Sequence, residues 1–279
     1  MTMSDEPGSA VEFEVMRVKE DTVLHRCQPV ATEVPFTIIA NGTELATLLS
    51  TPTNMEDFTC GFLYASGFIT EAGEIHSYVL DSERWVANVE IERTPDPSIM
   101  GKRLFTSGCG KGVMYANVVE LSSRRPPLAE TSLTREQVWG AARWLQTSSD
   151  LYKSTGGVHT AALSDGGKQP LVSMDDIGRH NAVDKVIGWA LKNGKTLSSL
   201  VLITSGRVSS EILHKAARAG IATIVARGAP THQAVLRARE AGITVIGFAR
   251  GSSFTVYSHE ERIGKNESLT NDSAGATNS

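Results

Sequence analysis

Three cysteines in 279 residues, Cys27, Cys60 and Cys109, are too few and too unevenly spaced for a disulfide framework or a zinc ribbon. An odd count leaves a free thiol, which persists best in a reducing compartment, so the cytoplasm is the expected home. Long apolar runs are missing as well. None approaches the ~18 residues of a membrane-spanning helix, so a soluble chain with no membrane partner is expected. Met1 to Ala10 are polar and acidic and lack the apolar stretch of a signal segment. Positive charge is not in surplus: the formal net charge is −4, which gives no whole-molecule attraction to nucleic acid. What is present is ordinary globular material, 41% apolar and 21% charged, enough to bury a core in one large or two small domains.

One stretch stands apart, Phe105-Thr106-Ser107-Gly108-Cys109-Gly110-Lys111-Gly112-Val113. Glycine is costly to order in a helix or strand, so the run reads as a loop that offers a sulfur atom with little steric cover. Lys111 and the backbone N–H groups of such a loop favour the thiolate, the nucleophilic form of cysteine. A small buried cysteine beside a turn is the competing reading, and the residues alone leave the two level.

Taken in order, the chain first shows strand alternation. Val11, Phe13 and Val15, then Val34, Phe36 and Ile38, predict half-buried strands, and Asn41-Gly42 is a hairpin signal. Cys27 lies in the connecting region and reads as structural. Thr53 or Asn54 can cap a helix starting near Met55, with Phe58, Phe62 and Leu63 on its buried face and Cys60 as a core filler. Glu74 to Ile91 returns to strand, and Thr94-Pro95-Asp96-Pro97 breaks it. This gives a small α+β unit over 11–100. The cysteine loop and a linker containing Arg124-Arg125-Pro126-Pro127 occupy 101–130.

An α/β unit over 131–260 follows. Thr134-x-x-Gln137 is a capping box ahead of the stripe Val138, Ala141, Ala142, Leu145. Gly156-Gly157 turns into a buried strand at Val158 to Leu163. Asp175 to Asn181 precedes an amphipathic helix with Val183, Val186, Ile187 and Ala190. One aspartate or Asn181 can cap that helix, which leaves Arg179 and His180 unexplained. Leu200 to Thr204, Ile221 to Ala226 and Ile243 to Phe248 are apolar strands separated by helices, the pattern of a covered parallel sheet with right-handed crossovers. Ser209 or Ser210 caps the first of these helices, and Phe254 to Tyr257 adds an edge strand. Residues 261–279 are polar and predict a disordered tail.

Each of the three strands ends in similar punctuation: Ser205-Gly206-Arg207, Arg227-Gly228-Ala229-Pro230, and Ala249-Arg250-Gly251-Ser252-Ser253. Carboxyl ends of parallel strands form ligand crevices, and arginine supplies a planar fork suited to phosphate. An anionic, phosphorylated ligand is expected there. No dinucleotide or Walker-type glycine motif occurs.

These residues in this order resemble the formate dehydrogenase accessory sulfurtransferase family (FdhD/NarQ), over roughly Val34 to Ser258. The resemblance rests on Asn41-Gly42, Thr51-Pro52, Met55-Glu56-Asp57, Gly61-Phe62-Leu63 and the cysteine loop. It continues through Gly157-Val158-His159-Thr160-Ala161, the run from Asp176 to Lys185, Ser205-Gly206-Arg207 and Gly247-Phe248-Ala249-Arg250-Gly251. It implies a small N-terminal α+β domain followed by a cytidine-deaminase-like three-layer α/β/α domain. It also implies a homodimer, and sulfur received as a persulfide on Cys109 from a cysteine desulfurase. The sulfur would then pass to the molybdenum bis(guanine dinucleotide) cofactor of formate dehydrogenase. The segment Phe248, Ala249, Arg250, Gly251, Ser252 and Ser253 matches the cofactor-binding region, and Arg207, Arg227, Gly228, His159, Arg179 and His180 are its companions. His159 and His180 are either cofactor contacts or hydrogen-bonding core residues.

The family often carries Cys-x-x-Cys in the loop, whereas this chain has Gly112 at the second position, so a relay through a second loop thiol is unavailable. A zinc site is not expected either, because His159-Thr160-Ala161 lacks the glutamate and no cysteine pair completes a deaminase set. The competing function is a non-catalytic chaperone that binds and delivers the molybdenum cofactor.

Overall fold

The computed structural model describes residues 8–94, 103–105, 113–115 and 132–264. β1 (Ala10–Lys19) and β2 (Thr22–Ala31) form an antiparallel ribbon. β3 (Val34–Ala40), β4 (Thr43–Ser50), α1 (Met55–Ala65), β5 (Ile75–Asp81) and β6 (Val86–Ile91) follow, and their strands make a sheet ordered β4-β3-β6-β5. Alternate residues Phe36, Ile38 and Ala40 of β3, with Ala87, Val89 and Ile91 of β6, are buried with Phe58, Phe62 and Leu63 of α1. The Phe36 and Phe58 rings lie 5.7 Å apart, a separation typical of favourable aromatic pairs.

β7 (Arg103–Phe105) and β8 (Val113–Tyr115) pair antiparallel within the stretch read as loop and linker. Cys109 falls between them in sequence and lies outside the described residues.

The remaining elements are β9 (Leu133–Thr134), α2 (Arg135–Thr147), α3 (Asp150–Thr155), β10 (His159–Ser164), β11 (Val172–Asp176) and α4 (Arg179–Lys192). After them come β12 (Val201–Thr204), α5 (Ser210–Arg218), β13 (Thr223–Ala226), α6 (His232–Ala241), β14 (Thr244–Arg250), β15 (Ser253–Ser258) and β16 (Ile263–Gly264). The six-stranded sheet is ordered β11-β10-β12-β13-β14-β15, with β12, β13 and β14 parallel and the outer strands antiparallel to their neighbours. Successive strand residues point to opposite faces, and both faces are covered. Leu202, Ile224 and Val245 pack on α4, α5 and α6, while Ile203, Val225 and Ile246 pack on α2. The expected α+β class is observed, and the predicted capping box is present: Thr134 Oγ1 accepts from Gln137 N, and Gln137 Oε1 accepts from Thr134 N.

The two sheets meet where α1 crosses α4. A Cβ on Gly61 would lie 1.9 Å from Asp184 O, and one on Gly188 would lie 1.9 Å from Asp57 O. Only residues without a side chain let the two backbones approach so closely.

The structure corrects several expectations. The β1–β2 ribbon is exposed rather than half-buried over most of its length, with Val11, Phe13 and Val18 at 44%, 54% and 59% exposure, because among the described residues packing is confined to its β2 strand, where the helix Asp150–Thr155 and Gly157 approach it. Cys27 sits within β2, not in a connection between elements, and is exposed. Asn54 occupies the N-cap of α1 in a left-handed conformation and makes no side-chain cap. Arg179, His180 and Asn181 form the first turn of α4 instead of preceding it, behind Gly178, which likewise makes no side-chain cap. Residues 261–264, assigned to a polar tail, are instead the end of a short 3-10 turn and the strand β16, which pairs with β9.

Candidate functional site

The strand ends are held together by backbone bonds that continue the sheet beyond its strands. Ser205 N donates to Thr160 O at 2.9 Å, Arg227 N to Thr204 O at 3.0 Å, and Phe248 N to Gly228 O at 3.2 Å. The loops are too close for side chains at two points. A Cβ on Gly228 would lie 2.7 Å from Gly206 O, and one on Gly206 would lie 2.9 Å from Arg179 Cβ. Gly206 and Gly228 therefore serve close packing at these strand ends.

Above them opens a cleft of about 390 Å³, within the range of small-molecule sites. It brings together His159, Arg227, Gly228 and Arg250 from three strand ends, with Ser205, Thr160, Ser149 and Tyr152 completing the polar wall. Asp175 braces that wall: it accepts from Thr160 Oγ1 at 2.6 Å and from Ser149 Oγ at 2.7 Å. Ser149 Oγ also accepts from Tyr152 N and so caps α3. Two guanidinium groups in a partly enclosed cleft form a site for an anion with several oxygens.

The other sequence-predicted residues lie around the cleft, outside its lining. Phe248 is exposed at φ 50°, at an irregularity in the β14–β15 pairing, and its ring centroid is 6.0 Å from the Arg250 guanidinium carbon. Ala249 is buried in the core against α2, and Gly251 turns the chain at φ 55° between exposed neighbours. Arg179 packs over Gly206, and Arg207 is exposed on the next loop.

His159 Nδ1 lies 3.2 Å from Ser205 Oγ. Burial, then the Arg179 cation and less strongly Arg207, hold this imidazole below its ordinary pKa against the opposing pull of Asp176. It is therefore neutral at pH 7 and adds hydrogen-bonding capacity, not charge. His180 does not line the cleft. Its Nε2 is 3.0 Å from Ser209 Oγ and 3.5 Å from Glu211 Oε2, and burial followed by the cations of Lys215 and Arg179 depresses its pKa to about 2. Cys60 is buried in the first core, and burial pushes its thiol up to about 12, which makes it a poor nucleophile.

Sequence reasoning missed Ser149 and Tyr152, because six-residue α3 shows no periodicity. It also missed Thr160 and Asp175, whose roles come from strand pairing.

The described residues thus define an α+β protein with a cationic crevice at the carboxyl ends of its parallel strands, and no described helix is long and apolar enough to cross a membrane. The FdhD/NarQ family model matches residues 31–264, so the β1–β2 ribbon lies almost wholly outside the match. The sulfur carrier protein FdhD of Staphylococcus haemolyticus (strain JCSC1435) is 40% identical over 251 residues, covering 89% of this chain and 95% of that protein. The sulfur carrier protein FdhD of Staphylococcus aureus (strain MRSA252) is 38% identical over 251 residues, covering 89% and 94%. Among solved structures, one described as a formate dehydrogenase accessory protein from Desulfotalea psychrophila superposes with a TM-score of 0.75 at 26% identity, covering 91% of this chain and 99% of that one. The chain belongs to the FdhD/NarQ family.

Proposed function

We propose that this protein is a sulfurtransferase. It takes sulfur as a persulfide on Cys109 from a cysteine desulfurase and passes it to the molybdenum bis(guanine dinucleotide) cofactor required by formate dehydrogenase. The observation that carries the reading is the convergence of His159, Arg227, Gly228 and Arg250 on one cleft, a receptor for the phosphates of a guanine dinucleotide. The sulfur-carrier relatives and the formate dehydrogenase accessory protein of similar fold support the same direction.

In loading, the Cys109 thiolate attacks the outer sulfur of the desulfurase persulfide and the donor thiolate leaves. In delivery, the outer sulfur leaves at the sulfane level with release of the Cys109 thiolate, and the cofactor, as substrate, supplies the two electrons that make it a sulfide. The remaining Phe248 to Ser253 residues, with Arg207, Arg179 and His180, frame the binding region. On this reading the protein works in the cytoplasm as a homodimer.

Titration of GDP into wild type, R227A and R250A tests the cleft. A charge-assisted arginine contact to phosphate is worth about 1.5–3 kcal/mol, so affinity falls about ten- to hundredfold in each variant while Cys109 still loads. Unchanged affinity in both variants removes the cofactor from this cleft. Tight GDP binding by a protein that never acquires a persulfide would make it a cofactor-delivery chaperone instead.

A further inference from the structure

Ser205 has one proton to donate and two partners in the cleft wall. Its Oγ accepts from the Thr160 backbone N–H at 3.0 Å and lies 3.2 Å from His159 Nδ1. If Nδ1 carried the imidazole proton, the Ser205 hydroxyl would accept twice, and its own hydrogen would meet no acceptor among the described residues. With the proton on Nε2, the hydroxyl donates to Nδ1 and both of its bonds are made. The ring then has one polar group left, the Nε2–H, in a residue that lines the cleft with Arg227 and Arg250.

We propose that Ser205 is a positioning residue that fixes His159 as a neutral imidazole protonated on Nε2, and that this N–H is an uncharged donor to an anionic ligand of the phosphate class. The guanidinium groups supply charge from flexible stems, whereas the histidine supplies direction from a ring held by the sheet. The groups that bear on its charge are Arg179 of α4, Arg207 of the loop after β12 and Asp176 of β11. The two cations oppose protonation and are only partly offset by the carboxylate. The ligand half of this assignment rests on the function proposed above, while the tautomer half does not.

The test uses the full chain with nitrogen-15-labelled histidine, the His159 signals being assigned by their loss in H159Q. Long-range proton–nitrogen correlation at pH 7 is expected to show Nε2 protonated and Nδ1 as an acceptor. In S205A the ring should become a mixture of tautomers, with GDP affinity about tenfold lower, and S205T should restore both. An imidazolium or an Nδ1-protonated ring in wild type overturns the proposal, as does a pattern unchanged by S205A. A protein that ignores GDP but keeps the Nε2-protonated pattern, lost in S205A, removes the cofactor reading and leaves the Ser205 assignment standing.

Discussion

Lys185 Nζ lies 2.7 Å from Asp176 Oδ2, and both side chains are fully buried. The pair joins the two sheets. Asp176 also accepts from Ser50 Oγ and Thr51 N at the end of β4, and Lys185 donates to Thr51 O. Asn181, on the first turn of α4, donates to Asp176 Oδ1 and to Leu49 O. Three residues of the run from Asp176 to Lys185, namely Asp176, Asn181 and Lys185, thus form a polar clamp between the first sheet and α4. Removing one partner strands the other charge in the interior. K185M or D176L is therefore expected to lose about 3–5 kcal/mol of unfolding free energy, whereas the D176L/K185M double variant recovers part of it. Urea unfolding reads this, and a single variant within about 1 kcal/mol of wild type would show the clamp to be dispensable.

The α1–α4 crossing is expected to be equally intolerant. In G61A or G188A the new methyl meets a carbonyl carbon or oxygen on the facing helix that cannot move alone, so the helices must separate. Overpacking of this kind costs about 1–3 kcal/mol, and more where backbone must shift. Thermal unfolding is expected to show a clearly lower midpoint for both variants, and alanine tolerated without loss would mean that the helices cross less closely.

Stability should fall in mild acid. Burial leads the causes that depress His180 to about 2 and His214 to about 4, against about 6.5 in an unfolded chain. Below pH ~6.5 the unfolded state binds protons that these rings refuse, so their contribution, complete above that value, is lost as pH falls. Each histidine accounts for up to about 1.4 kcal/mol per pH unit. Asp184 acts in the opposite sense, since burial raises its carboxyl to about 6 and the native state takes up its proton first as pH falls. The informative quantity is therefore the difference between wild type and H180Q across pH 7 to 5. H180Q should lose less stability over that range, and parallel curves would mean that His180 titrates normally in the native state.

The sheet was legible because β12 and β13 are covered on both faces and read as unbroken apolar runs, and because Thr134 and Ser209 mark helix starts with capping side chains. The cleft was legible in part, since arginine and glycine recur at the three strand ends that enclose it. The exposure of β1 and β2 was not, because Val11, Phe13 and Val15 alternate as they would in a half-buried strand, and only tertiary contacts decide which faces are covered. The parallel pairing of β3 with β6 is likewise tertiary. Sequence alone also could not separate Asp176 and Lys185, which close a buried clamp, from His159, which lines the cleft. His159 opens an apolar strand and Asp176 and Lys185 stand in a mixed run, and neither setting shows which side chains face the cleft.

The sulfur itself tests the central claim most directly. The protein is loaded with a cysteine desulfurase and sulfur-34 cysteine, separated, and given the molybdenum bis(guanine dinucleotide) cofactor, and both are followed by mass spectrometry. One labelled sulfur should appear on Cys109 and move to the cofactor. C27A, altered at an exposed ribbon position, and C60A, altered at a buried thiol of depressed acidity, should behave as wild type, and C109A should neither load nor transfer. Labelled cofactor at full yield from C109A would contradict the account.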